Sequence, residues 1–279
     1  MMKYTPREIH TEVNVTPRNP LVNLVHLLGT VAGASIAIYV LLGWAVDWVV
    51  PRISPEFEAQ LGALTAPQGA IALGGQELTA DPRRDELQDL LEQLQTNEHL
   101  PAATVHLVDS TLVNAAALPG GHIFVTTGLL AAVESQNELA FVLAHELGHH
   151  VNRDTLRQLG RSLVVAWGAQ LVFGSGTSDN GASVVSTSFN LQNLHYSRRA
   201  ESAADRFALD AVCQHYGHGN GSLGFFQRLA AEENQTLTRL TAYFRTHPAS
   251  QSRVTDLSEY ATEQGCPLTG SLQPFSVGD

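Results

Sequence analysis

His145-Glu146-Leu147-Gly148-His149 is the stretch of this 279-residue chain whose residue types and spacing could do chemistry. In a helix, positions four apart share a face, so both imidazoles can meet one metal ion with Glu146 beside it. Neutral imidazoles suit zinc, which takes nitrogen ligands at about 2.0 to 2.1 Å and in catalytic sites leaves one position to water. The water's proton then needs a carboxylate adjacent to the metal but not on it, the place Glu146 would hold. Chance produces the pattern in roughly a few of every hundred chains of this length, so context decides.

A catalytic zinc needs a third protein ligand. One class of zinc hydrolase draws it from a glycine-histidine extension of the motif, but those positions hold Asn152 and Thr155. A downstream glutamate remains, and from His150 to Ala200 there is none; the first is Glu201, in Tyr196-Ser197-Arg198-Arg199-Ala200-Glu201-Ser202-Ala203-Ala204-Asp205. Glu201 and Asp205 are again four apart in a helical context. A second helix can therefore offer Glu201 to the metal and Asp205 to orient a ligating imidazole, His145 in this reading.

These two spacings together resemble the gluzincin zinc peptidases of the HtpX and CAAX prenyl endopeptidase family, above all its single-domain BepA-like and Oma-like members. Asn114-Ala115-Ala116-Ala117-Leu118-Pro119-Gly120-Gly121-His122-Ile123 is similar to the family's stretch ahead of the zinc helix, and Gly128-Leu129-Leu130 follows as expected. His247-Pro248 with Arg253 resembles its late His-Pro element. The similarity runs from about Asp85 to Tyr260. It implies a zincin-like α+β domain, mainly helical, holding one Zn2+ per chain on His145, His149 and Glu201. Glu146 would be the general base. His247 would stabilise the oxyanion, cap the zinc in a latent state, or serve as a structural histidine, with Arg253 holding its loop.

The elements that must position these groups are legible. Ser135 is a helix-start signal, and Gln136 to Ala144 leads into the motif with strong helix formers. Asp81-Pro82 opens another helix, in which Leu87, Leu90, Leu91 and Leu94 form an apolar stripe. Thr104–Val108, Leu112–Leu118 and His122–Thr127 read as strands, with a turn at Pro119-Gly120-Gly121, and are expected to form a small antiparallel sheet. Asn114, Ala115, Ala116 and Ala117 would let a substrate backbone add to an edge, or are small simply because they pack under a helix. Leu163–Phe173 is apolar but half the length of a span, a buried or surface-docking helix. Gly174 to Ser188 is expected to be a mobile gate or a plain connector. His150 lies about 100° around the helix from His149 and should not share the ion, being a surface group or an outer neighbour of the site. His195, His215 and His218 carry no metal spacing.

Leu27 to Val46 is free of formal charge, and roughly twenty helical residues cover the about 30 Å hydrocarbon core. This reads as one transmembrane helix within residues 21–50, with a buried core helix as the alternative. Lys3, Arg7 and Arg18 before it, against Arg52 just after, place the N-terminus in the cytoplasm and the rest in the periplasm or another extracytoplasmic space. Cys213 and Cys266 could form a disulfide there or remain free thiols. The expected organisation is a tail over 1–20, the anchor, a linker over 51–80, a metallopeptidase domain over 81–265 and a flexible tail over 266–279.

A net charge of −11, with basic pairs no longer than Arg83-Arg84 and Arg198-Arg199, excludes a nucleic-acid partner. The expected function is therefore hydrolysis of peptide bonds in unfolded or misassembled envelope proteins by a membrane-anchored zinc endopeptidase. A chaperone-like adaptor that binds extended chains around a structural zinc is the rival, and a zinc amidase acting on non-peptide substrates is a third reading.

Overall fold

A computed structural model of the chain describes residues 19–95, 100–173, 196–225, 227–228, 243, 247 and 251–275. The N-terminal tail to residue 18, the expected gate over 174–188, His195 and Pro248 lie outside the described residues. The chain divides into two units, residues 1–44 and 45–279. In the first, helix α1 (Pro20–Val49, whose last turn belongs to the second unit) buries none of its residues and carries no Asp, Glu, Lys or Arg before Asp47. It is long and apolar enough to cross a membrane.

The second unit is built on a four-stranded sheet, β1 (Gln76–Glu77), β2 (Thr104–Asp109), β3 (Ala115–Leu118) and β4 (His122–Thr126), in the order β1-β2-β4-β3. It is mixed rather than purely antiparallel, because β2 and β4 run parallel. The tight turn Pro119–Gly121 folds β3 back on β4 with Ala116 opposite Phe124. This leaves β4 in the middle and β3 at the edge. β3 also starts at Ala115 rather than Leu112. Before it, the backbone bond from Thr126 N–H to Asn114 O is joined by the Thr126 hydroxyl, which donates to Leu112 O and accepts from Asn114 N–H.

Helices cover both faces. On one, α3 (Pro82–Leu94), capped by Asp81, buries its leucine stripe against Val105, Leu107, Ile123 and Val125. There it joins α5 (Gln136–Val151), α7 (Arg198–Tyr216) and α8 (Gln251–Glu263); α4 (Thr127–Leu130) is a single turn after β4. Burying one leucine of that stripe contributes about 1.5–3 kcal/mol. On the other face lies α2 (Pro55–Ala72), with Ala70 and Leu73 beside Val108, Ala116, Leu118 and Phe124, and with Leu159 of α6 (Asp154–Phe173) in the same cluster.

Residues 51–80, expected as a linker, thus contain α2 and β1. The prolines and glycines that suggested irregular chain have other uses. Pro55 sits in the first turn of α2 behind the Ser54 cap, where no N–H is missed. Gly62 and Gly69 let the helix descend onto the sheet: a Cβ at Gly62 would lie 2.6 Å from Pro119 O, and one at Gly69 would lie 2.5 Å from the Phe124 ring. The two cysteines are joined, with Cα atoms 6.0 Å apart, which ties the end of α7 to the chain beyond α8. Gly62→Ala is expected to cost roughly 1–3 kcal/mol by overpacking; an unchanged midpoint in thermal unfolding would show that α2 does not press on the turn.

Candidate metal centre

The motif helix α5 starts at Ser135, whose hydroxyl accepts from Glu138 N–H at 3.3 Å, and it is buried from Asn137 through His150. Helix α7 starts at Ser197, which caps Ala200 N–H. The two helices meet where Gly148 faces Ala204: a Cβ on Gly148 would sit 3.1 Å from Ala204 Cα. Only small residues at that crossing bring Glu201 and Asp205, on α7, within reach of imidazoles on α5.

Four side chains converge there. His145 Nε2 lies 3.1 Å from His149 Nε2, and each is 3.6 Å from a Glu201 carboxylate oxygen. His247 adds Nδ1, 3.2 Å from His145 Nε2 and 3.1 Å from Glu201 Oε1. All four ligand atoms lie within 4.8 Å of one another, and all four residues are buried. A tetrahedral zinc with bonds near 2.05 Å needs ligand atoms roughly 3.3 Å apart, so the spacing fits.

The outer nitrogens explain why the inner ones face each other. His145 Nδ1 lies 3.0 Å from Asp205 Oδ1, and His149 Nδ1 lies 3.0 Å from Asp154 Oδ2. Each carboxylate holds a proton on Nδ1 and turns the Nε2 lone pair inward. With both rings neutral, two Nε2 lone pairs and the Glu201 carboxylate would face one point, a donor set suited to a divalent cation. Arg253 braces the acidic side, 2.8 Å from Glu201 Oε2, with bonds of 2.8 and 2.9 Å to Asp205.

Burial pushes the His145 pKa down, whereas for His149 the Asp154 and Glu201 contacts outweigh burial and push it up to about 9. Burial would raise the Glu201 and Asp205 carboxyls, but the surrounding imidazoles, with Arg253 at Asp205, hold both below the usual range. Glu146 is fully buried; its Oε2 accepts from Ala117 N–H at 2.9 Å and its Oε1 lies 3.4 Å from His247 Nε2. Glu146 thus touches the outer edge of β3. Ala115 and Ala117 pack toward α5, and Ala116 packs toward α2.

Asp154 and two aromatic walls went unread in the sequence. Tyr196 stacks on His149 with centroids 3.9 Å apart, and Tyr243 stacks on His247 at 4.7 Å. Five residues beyond His149, Asp154 would lie on another face of a continuing helix. The chain instead breaks at Arg153, a non-glycine residue with φ of 56°, and returns Asp154 beneath His149. Arg153 donates to Val50 O and Ile53 O and lies 3.3 Å from Glu58, contacts that offset the roughly 1 kcal/mol cost of that backbone. His150 is a buried neighbour of Glu58 at 3.5 Å rather than a surface group, with its pKa pushed down to about 4 by burial. His215 and His218 stand outside the cluster.

Asp154→Asn should keep the fold but loosen the orientation of His149. Metal affinity is expected to fall roughly 10- to 100-fold, read by competition with a chromophoric chelator; unchanged affinity would reduce Asp154 to a packing residue.

A sequence model of peptidase family M48 matches residues 81–261. Among curated proteins, the mitochondrial metalloendopeptidase OMA1 of Schizosaccharomyces pombe is 30% identical over 159 residues, 57% of this chain and 47% of the relative. A putative beta-barrel assembly-enhancing protease of Vibrio cholerae is 28% identical over 169 residues, 57% of this chain and 35% of the relative. The human mitochondrial metalloendopeptidase OMA1 is 26% identical over 180 residues, 59% of this chain and 34% of the relative. The chain thus spans less than half the length of these relatives. Because the matched stretch takes in well over half of the chain and carries both ligand helices, the chain belongs to peptidase family M48.

Proposed function

We propose that this protein is a membrane-anchored, zinc-dependent endopeptidase that cuts extended polypeptides. The observation that carries the reading is the contact between Glu146 and the edge strand, beside three residues that together would hold one metal ion. His145, His149 and Glu201 would be its ligands. Bound there, zinc supplies Lewis acidity and brings the pKa of water towards 7. Glu146 then accepts the proton of the attacking water and returns it to the leaving amine. Asp154 and Asp205 keep the two imidazoles in the tautomer that ligates, and Arg253 balances the charge of Glu201 and Asp205.

The peptide backbone would be recognised by β3. Ala117 N–H points away from β4, so Asn114 to Ala117 offer an edge to an extended strand, and their small side chains leave room for it. In the described arrangement Glu146 takes that amide and His247 stands against both the ligands and Glu146. This supports His247 as a latch that closes the site until substrate displaces it.

The relatives' names support substrates among envelope or organelle proteins, and unfolded or misassembled chains are the class we infer. Single-pass anchoring through residues 21–50, with the enzyme domain in the periplasm or another extracytoplasmic space, is supported by α1 and by the Cys213–Cys266 bridge, which persists in oxidising compartments.

Glu146→Gln is expected to keep bound metal and lose casein cleavage by roughly 100- to 10,000-fold; retained cleavage would sink the peptidase reading, and retained cellular function without cleavage would favour an adaptor. For His247→Ala, turnover should rise if the imidazole is a latch. Lower turnover would make it a catalytic group, and no change would leave it neither.

A further inference from the structure

Helix α6 leaves the metal centre and keeps close company with the end of α1. Arg153, just before α6, bonds to Val50 O and Ile53 O. One turn on, Arg157 Nε lies 3.8 Å from Asp47 Oδ1, and Arg161 makes two bonds to the Asp47 carboxylate at 2.9 and 3.0 Å. Between them, Gly160 is pressed so closely on Val46 that a Cβ would lie 2.9 Å from Val46 Cγ1. As α6 advances from 153 to 161, its partners step back from 53 to 46, so α6 runs antiparallel to the last turns of α1.

The charge pattern then turns over at one level. Asp47 ends the uncharged run of α1, and Arg161 is the last charged residue of α6, because Ser162 to Phe173 contains no ionisable side chain. Arg52, stacked on Trp48 with the guanidinium 4.0 Å from the ring centroid, belongs to the same belt. Such a belt of arginines and tryptophans sits at a membrane surface. Beyond it α6 stays helical to Phe173, Val165 is 54% exposed, and a Cβ at Gly168 would meet nothing within 4 Å among the described residues.

We infer that the uncharged half of α6, Ser162–Phe173, is a second membrane-contacting element, seated in one leaflet next to the point where α1 enters it. This rests on the reading of α1 as a membrane span. Twelve residues reach about 18 Å, too short to cross, and the last carbonyls of the helix need polar partners, so α6 lies obliquely in the interfacial zone rather than upright in hydrocarbon. Because α6 begins at Asp154, the ligand-orienting residue, the belt at Arg161 is only about 10 Å along the helix from the metal centre. The polypeptides in easiest reach are those held at the membrane surface.

Trp167 lies within the inferred segment, and Trp44 and Trp48 flank the belt on α1. The full chain carrying Trp44→Phe and Trp48→Phe, reconstituted into phosphatidylcholine vesicles, should lose roughly half or more of its tryptophan emission when the acyl chains are brominated, with little quenching by aqueous iodide. Quenching by iodide alone, or by neither agent, overturns the inference in favour of a solvent-facing or protein-covered helix. The Trp167→Phe chain reports the anchor separately. If its emission is unaffected by brominated lipid, the reading of α1 fails; if it is quenched while Trp167 is not, only the seating of α6 fails. Casein cleavage by each variant verifies that it is folded.

Discussion

Everything at the metal centre depends on how closely α5 and α7 can cross. With Gly148 set against Ala204, the axes come near enough for a short carboxylate on α7 to touch imidazoles on α5. A Cβ at Gly148 or a larger side chain at Ala204 would separate the helices, and the loss would fall on Glu201 and Asp205 together, because both lie on the same face one turn apart. The dense apolar packing around α5 sets the second condition. It removes water from His145, Glu146 and His149, so the charges of the two imidazoles are governed by burial and by neighbouring groups rather than by solvent.

Burying that many carboxylates is costly unless each is answered. Asp205 is shared between His145 and Arg253, Glu201 between Arg253 and the imidazoles, and Asp154 between His149 and Arg157. The resulting network orients as well as neutralises. Each ligating histidine is held by a carboxylate on its outer nitrogen, which leaves a single tautomer that can present a lone pair inward. The ligand set is therefore organised by its surroundings, a condition for placing reacting groups within a fraction of an ångström.

The same junction joins the centre to the chain that follows α1. Arg153 adopts its left-handed backbone because it can reach two carbonyls after α1 and the buried Glu58, and that turn is what brings Asp154 to His149. The segment after α1 is thus part of the site's support. On the opposite side, β3 holds Glu146 through a backbone amide, so the strand that would receive substrate also positions the carboxylate that would act as base.

Much of this was readable beforehand because it is local. Residues four apart share a helical face wherever the helix goes, so His145, His149, Glu201 and Asp205 announce themselves by spacing; Ser135 and Asp81 mark helix starts by the same local chemistry. What spacing cannot convey is which distant segments meet. The parallel pairing of β2 with β4, the glycines that turn an apparent linker into α2, and the stacking of Tyr196 and Tyr243 on two histidines arise from packing between residues far apart in the chain. Asp154 is the sharpest case. Its place under His149 follows from one left-handed residue whose strain is offset by contacts about a hundred positions away, an energy balance that exists only in the folded chain.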